Sequence, residues 1–248
     1  MHSSKKSSIF AADMKKIILF ALVSAVVLTS CGPSAAEKRR AEKHVSDSIA
    51  LVEQQKSLVY YQSQLDEIMP KADSLLPLFD YTKDSLYQDY GFYGLKAQQV
   101  ERNTNRNYVQ ALVRDDGKPL VRAYYFGNKE INFQRVSLAV GDIEIKLSGS
   151  VHSFEAGGWH QIMTLEDSVA MEALRFLDAH VKDKVRVAFG EEAKNAVSFN
   201  MTDADKKALA QAYHLSVVMS DVYILEHRVK HTSLEVEKYQ RRLSNERE

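Results

Sequence analysis

The strongest constraint on this chain lies at its C-terminal end, where residues 202–248 contain neither glycine nor proline. Those two residues interrupt a helix most readily, and apolar residues here recur every three or four positions, so the stretch predicts one continuous helix. The apolar positions are Leu215, Val218, Val222, Leu225, Val229, Thr232, Val236, Tyr239 and Leu243. Thr202-Asp203-Ala204-Asp205 supplies an N-cap and an acidic first turn, which suit the positive end of a helix dipole. Glu226–Lys230 and Glu237–Arg241 add i,i+4 pairs in the favourable order. Some forty helical residues reach roughly 60 Å. A seam of two positions in seven on so long a helix cannot be buried on a small sheet alone, and it requires a partner helix.

Two partners satisfy that requirement. Residues 37–104 form a helical N-terminal segment rich in Ala, Glu, Lys, Gln and Leu, with Leu51, Leu58 and Leu65 recurring at seven and Val45, Ile49, Val52 and Val59 in a neighbouring stripe. Pro70 is expected to end or kink this helix near Met69. A second amphipathic stretch follows, carrying Leu75, Leu76, Leu78, Phe79, Leu86 and Tyr87, with Pro77 inside it. If both helical segments leave the same side of whatever lies between them, they pair antiparallel as a coiled-coil stalk. The other partner is a second copy of the C-terminal helix. Thr232 and Tyr239 at d positions weaken a parallel zipper of that kind, so the intramolecular stalk is the favoured expectation.

Between the helices the period changes. Residues 108–114 and 120–126 are β-branched and aromatic runs on either side of Asp115-Asp116-Gly117-Lys118-Pro119, a strong hairpin signal. Further strands are expected at about 132–140, 142–148 and 159–164, and a helix at about 166–181. A second hairpin is expected where 184–189 and 196–200 flank Gly190-Glu191-Glu192-Ala193-Lys194. Short turns imply antiparallel pairing. The fold class is therefore α+β: a small antiparallel sheet or sandwich head at 105–200 with one packed helix, flanked by long N- and C-terminal helices.

At the other end, Lys15 and Lys16 precede Ile17–Leu28, an apolar run of about a dozen residues, the length of a signal-peptide core and too short to span a bilayer. It ends in Leu28-Thr29-Ser30-Cys31-Gly32. This segment resembles the lipobox of bacterial lipoproteins, and its form is similar to that of Bacteroidetes lipoproteins, with Met14 as an alternative start. The resemblance implies a signal peptide at 1–30, cleavage before Cys31, a diacylglycerol and further acyl chain on Cys31, and a lipidated tether at 31–36. It also implies residence in the cell envelope. By analogy with sorting in enteric bacteria, Gly32 permits transit to the outer membrane. The residues after the cysteine, Gly32-Pro33-Ser34-Ala35-Ala36, lack the acidic run of surface-exported relatives, so the periplasmic face is expected. Cys31 is the only cysteine, which excludes an intramolecular disulfide. Lys38, Arg39, Arg40 and Lys43 follow closely and read as a solvated start to the helix. Cleavage removes Lys5, Lys6, Lys15, Lys16 and Asp13 and leaves a net charge of about −3. No basic surplus remains to attract nucleic acid.

Candidate chemistry is sparse. His152, Glu155 and His160 bracket the Gly157-Gly158 loop beside Trp159, the one tryptophan. Trp159, His152 and His160 are the candidate ligand-binding residues, since glycine lets a backbone approach closely and an indole offers a stacking face. His227 and His231 stand i,i+4, but Glu226-His227-Arg228-Val229-Lys230-His231 is not a zinc-protease motif and both lie off the seam, so no metal is expected. The segment from Phe79 to Tyr93 is dense in aromatics, suited to core packing or to a glycan surface. Asp115-Asp116 and Glu191-Glu192 sit in turns, where solvated acids are expected. No nucleophile elbow and no phosphate-binding loop occurs, so neither an enzyme nor a cofactor is expected. The expectation is a non-enzymatic envelope lipoprotein that meets the bilayer through Cys31 and a protein partner, or its own copy, through the C-terminal helix. The alternative is a glycan- or small-ligand-binding lipoprotein.

Overall fold

The structure, a computed structural model, describes residues 34–83, 90–99, 105–190 and 197–245. Cys31 and segment 1–30, Leu86, Tyr87 and Glu191-Glu192 lie outside the described residues. The chain divides into two units, Met1–Ser48 and Ile49–Glu248. Its described part is a mixture of helix and sheet, with a long helix at each end and two antiparallel sheets.

Helix α1 spans Ala35–Leu75. It begins on a capping box, in which Ser34 Oγ accepts the Glu37 N–H at 3.3 Å and Glu37 Oε2 accepts the Ser34 N–H at 2.6 Å. The hydrogen bond from the Ser34 backbone, aided by the Ser34 hydroxyl, holds the Glu37 carboxyl below its usual range. Pro70 does not end the helix. Asp66 and Pro70 are both exposed, so solvent can serve the carbonyl that the missing N–H leaves open. Leu51, Leu58 and Leu65 are half-buried and Ala72 is buried, while Val45, Ile49 and Val59 of the neighbouring stripe are exposed.

Beyond Leu75, among the described residues, two strands interrupt the helical continuation expected up to residue 104. A 3-10 turn at Leu76–Leu78 accommodates Pro77, and strands β1 (Phe79–Lys83) and β2 (Gly91–Leu95) follow, then a single helical turn α2 (Lys96–Gln99). Aromatic residues outweigh the weak helical pattern here: Tyr81 faces Tyr93 across the pair, with ring centroids 5.0 Å apart.

The expected first hairpin forms β3 (Tyr108–Arg114) and β4 (Pro119–Gly127). Its acids are not simply solvated. Arg114 grips Asp116 through both Nε, at 3.0 Å, and its terminal nitrogen, and Asp115 accepts the Gly91 N–H at 3.0 Å, tying β2 to the turn. Strands β5 (Val136–Val140) and β6 (Ile143–Leu147) follow. Residues 150–155, outside the expected strands, form β7 (Ser150–Glu155), paired to β8 (Trp159–Glu166). Helix α3 covers Asp167–Ala179, β9 and β10 are Arg186–Phe189 and Val197–Asn200, and α4 runs Asp203–Asn245. The strands form a six-stranded sheet in the order β1-β2-β3-β4-β8-β7 and a four-stranded sheet in the order β10-β9-β5-β6.

Alternation divides the larger sheet into two faces. Val121, Ala123 and Tyr125 of β4 and Gln161, Met163 and Leu165 of β8 point into the core. There they meet Leu174 and Leu177 of α3, Leu209 and Leu215 of α4, and the second sheet, where Phe189 lies 5.9 Å from the Tyr125 ring. Each such fully buried leucine contributes about 1.5–3 kcal/mol. Gln161, fully buried, is satisfied: its Oε1 accepts the Ile131 and Asn132 N–H groups at 2.8 and 3.2 Å, and its Nε2 donates to Ser153 Oγ at 3.1 Å. That amide fixes the approach to β5 against β8. The N-cap of α4 forms as expected, with Thr202 Oγ1 accepting the Asp205 N–H at 3.1 Å. All nine apolar seam positions of α4 are buried or half-buried, Val222, Thr232 and Val236 among the buried.

Candidate functional site

The opposite face of the six-stranded sheet carries aromatic side chains. Pairing register sets them in two rows. Tyr108, Tyr124, Ile162 and His152 are successive cross-strand neighbours on β3, β4, β8 and β7. One step along, Phe126, His160 and Phe154 form the next row. The Tyr108 and Tyr124 rings stack with centroids 4.3 Å apart and planes at 12°. Phe154 and His160 stack at 4.8 Å and 3°, Phe126 meets His160 at 4.9 Å, and His152 meets Phe154 at 5.9 Å. Phe154 remains 41% exposed. A cavity of about 350 Å³ is lined by members of both rows together with Asn105 and Arg106.

Each wall is held from behind. In the turn joining β7 and β8, Ala156 carbonyl oxygen and His160 Nε2 lie 3.0 Å apart. A neutral imidazole donating there leaves Nδ1 as an acceptor. Gly158 has φ +151, and a Cβ on it would stand 2.7 Å from Phe126 Cε2, so only glycine lets that ring reach the turn. Asn107 Oδ1 accepts the Phe126 N–H at 2.7 Å. Arg106 lies 3.5 Å from Asp205 Oδ2, a carboxylate 5% exposed that also accepts the Thr202 hydroxyl at 2.8 Å. The N-cap of α4 and the cavity wall are therefore one connected structure. Beside the first row, Tyr124 Oη donates to Gln110 Oε1 at 3.4 Å, and Gln110 Nε2 is buried without a hydrogen-bond partner among the described residues.

Compared with family models, with curated proteins and with solved structures, the chain finds no match.

The structure separates the three residues singled out in the sequence. His152 and His160 share the aromatic face, in adjacent rows. Trp159 projects from the other side of β8 and packs half-buried against the core. Indole stacking and the histidines thus cannot serve one ligand. His227 and His231 are exposed on α4, where the His227 ring leans on Tyr223 at 4.6 Å. Among the described residues no group of three His, Cys, Asp or Glu is placed to hold a metal, and no helix is long and apolar enough to cross a membrane. Of the aromatic segment, Phe79 and Tyr93 pack with the core and Tyr81 is exposed beside Tyr93. Burial pushes the Tyr93 phenol above its ordinary range, with Tyr81 and Asp115 adding to it.

Four members of the aromatic face, Tyr108, Tyr124, Phe126 and Phe154, escape a reading by sequence spacing, because cross-strand register brings them together. The signal was partial: alternation in Leu120–Phe126 places Tyr124 and Phe126 on one side of β4, but not which strand lies beside it. Among the described residues no carboxylate lines the cavity. Its chemistry is therefore that of an aromatic binding surface with a few hydrogen-bonding groups.

Proposed function

We propose that this is a non-enzymatic, lipid-anchored protein of the cell envelope, attached through Cys31, whose two-sheet head is carried on a stalk made by Ile49–Leu75 of α1 and the distal half of α4. The observation that carries the reading is the Arg228 guanidinium lying 5.3 Å from the Tyr61 ring centroid, a contact between the two terminal helices. Burial on each supports it. Tyr61, Ile68 and Leu75 and the row Leu51, Leu58, Leu65, Ala72 are buried or half-buried at heptad-spaced positions on α1, and the seam of α4 is buried or half-buried as well. The capping box at Ser34 supports a helix that starts within a few residues of the lipidated cysteine, leaving a short tether. Several acyl chains on that cysteine hold firmly, since each buried CH₂ contributes roughly 0.8 kcal/mol. Among such placements the outer membrane, facing the periplasm, is favoured by Gly32 and by the missing acidic run after Cys31.

The anchor is tested by fractionating cells that express the protein and its Cys31→Ala variant. The wild-type chain is expected in membranes at processed size. The variant is expected either in the soluble fraction or as a larger precursor. Unchanged fractionation and unchanged size would overturn the reading.

A further inference from the structure

We propose that the cavity on the aromatic face of the six-stranded sheet binds a neutral saccharide, one or two uncharged sugar rings. The reading goes beyond the anchoring role and does not rest on it. Three observations converge. The first is geometric: Phe154 and His160 are paired ring on ring at 4.8 Å, and in the adjoining row the half-buried Tyr124 is backed at 4.3 Å by the buried ring of Tyr108. Aromatic faces are electron-rich, and the C–H face of a pyranose, weakly positive and apolar, stacks on them. Phe154, at 41% exposure, stands open to such a ring.

The second is electrostatic. Among the described residues Arg106 is the only cation lining the cavity, and Asp205 faces it at 3.5 Å. Among these described residues the charge is matched locally, so a phosphate or a carboxylate finds no surplus to meet there, and a cationic ligand finds no acid. An uncharged ligand fits this balance.

The third is hydrogen-bonding capacity. Asn105, Arg106, Tyr124 and His160 line the same space. The amide, the phenol and the imidazole Nδ1 mix donors with acceptors, as sugar hydroxyls require because each both gives and takes a hydrogen bond. A volume of about 350 Å³ falls at the small end of ligand pockets, roughly 300–1,000 Å³. The aromatic walls stand on paired strands and a glycine-limited turn, so their rings need little ordering when a ligand enters.

The test is calorimetric titration of the full-length protein, in a detergent without a sugar head group, with maltose, cellobiose, N,N′-diacetylchitobiose and adenosine. At least one of the three disaccharides is expected to give a saturable isotherm. Phe154→Ala should weaken it by about tenfold or more with the circular dichroism spectrum unchanged, since this side chain is exposed. His160→Ala should do likewise, whereas Trp159→Phe, on the opposite face, should change it by less than about twofold. The Cys31→Ala protein should bind as the wild type does, which separates failure of this site from failure of the anchor. Absence of saturation with all three disaccharides overturns the proposal. So does binding that survives Phe154→Ala but is lost in Trp159→Phe, or saturation by adenosine alone, which would make the rows a nucleobase platform.

Discussion

Ser216 Oγ donates to the Gly117 carbonyl oxygen at 2.6 Å, joining α4 to the turn between β3 and β4 across ninety-nine residues of sequence. Both the geometry and the burial are tight. Gly117 has φ +82, and a Cβ on it would stand 2.1 Å from the backbone nitrogen of Ser220. The long helix is therefore seated directly on a hairpin tip that only glycine can form. Ser216 itself is fully buried.

Removing that hydroxyl leaves a buried carbonyl short of its donor. Ser216→Ala is expected to cost about 1–3 kcal/mol of stability. Gly117→Ala is expected to cost more, about 3 kcal/mol or beyond, because it adds backbone strain and displaces α4 together. Denaturant unfolding followed by circular dichroism measures both. Equal effects from the two substitutions, or a smaller one for Gly117→Ala, would mean the helix is not seated on this turn.

The same junction shows what was legible in the sequence. The Asp-Gly turn and the uninterrupted C-terminal helix both follow from local chemistry: φ > 0 at Gly117, an N-cap at Thr202, and apolar spacing from Leu215 to Leu243. Their meeting does not, because nothing local in Ser216 announces a partner ninety-nine residues away. Phe79–Lys83 and Gly91–Leu95 form strands where spacing predicts helix, for a related reason. The leucines and aromatics of this stretch fit a helical stripe as well as a strand, and the cross-strand Tyr81–Tyr93 contact that decides the matter is invisible in one dimension. The candidate site divides in the same way. His152 and His160 were visible as a pair about a glycine turn, but a one-residue step along β8 sends Trp159 to the opposite face, and the stacking partners come from other strands.

Alkaline pH gives a second expectation. Burial raises the Tyr125 phenol above its ordinary value of 10.0, and its hydroxyl donates to the Lys129 carbonyl at 2.9 Å. With the folded value above the unfolded one, the native state holds its proton longer. This contribution is fully present below about pH 10 and is lost as pH rises through the folded value. Tyr125→Phe should lower stability near neutral pH by about 1 kcal/mol, the worth of one hydrogen bond, yet flatten the decline above pH 10. Tyr93, raised in the same direction by burial, should leave part of that decline in place. An unaltered alkaline slope in the variant would remove Tyr125 from the account.

The stalk makes the sharpest demand. If α1 and α4 of one chain pair, Tyr61 and Arg228 should be energetically coupled, and the cation over the ring should be worth about 0.5–1 kcal/mol at so exposed a site. A double-mutant cycle with Tyr61→Ala and Arg228→Ala measures that coupling free of what each substitution does separately. The unfolding midpoint supplies the second arm. An intramolecular pair melts at a temperature independent of protein concentration, whereas helices zipped between copies melt higher as concentration rises. A coupling of about 0.5 kcal/mol or more with a constant midpoint supports the stalk. Coupling with a midpoint that climbs with concentration would instead place Arg228 against Tyr61 of a second copy. No coupling at all would leave the buried seam of α4, from Val222 to Val236, to be explained by a different neighbour.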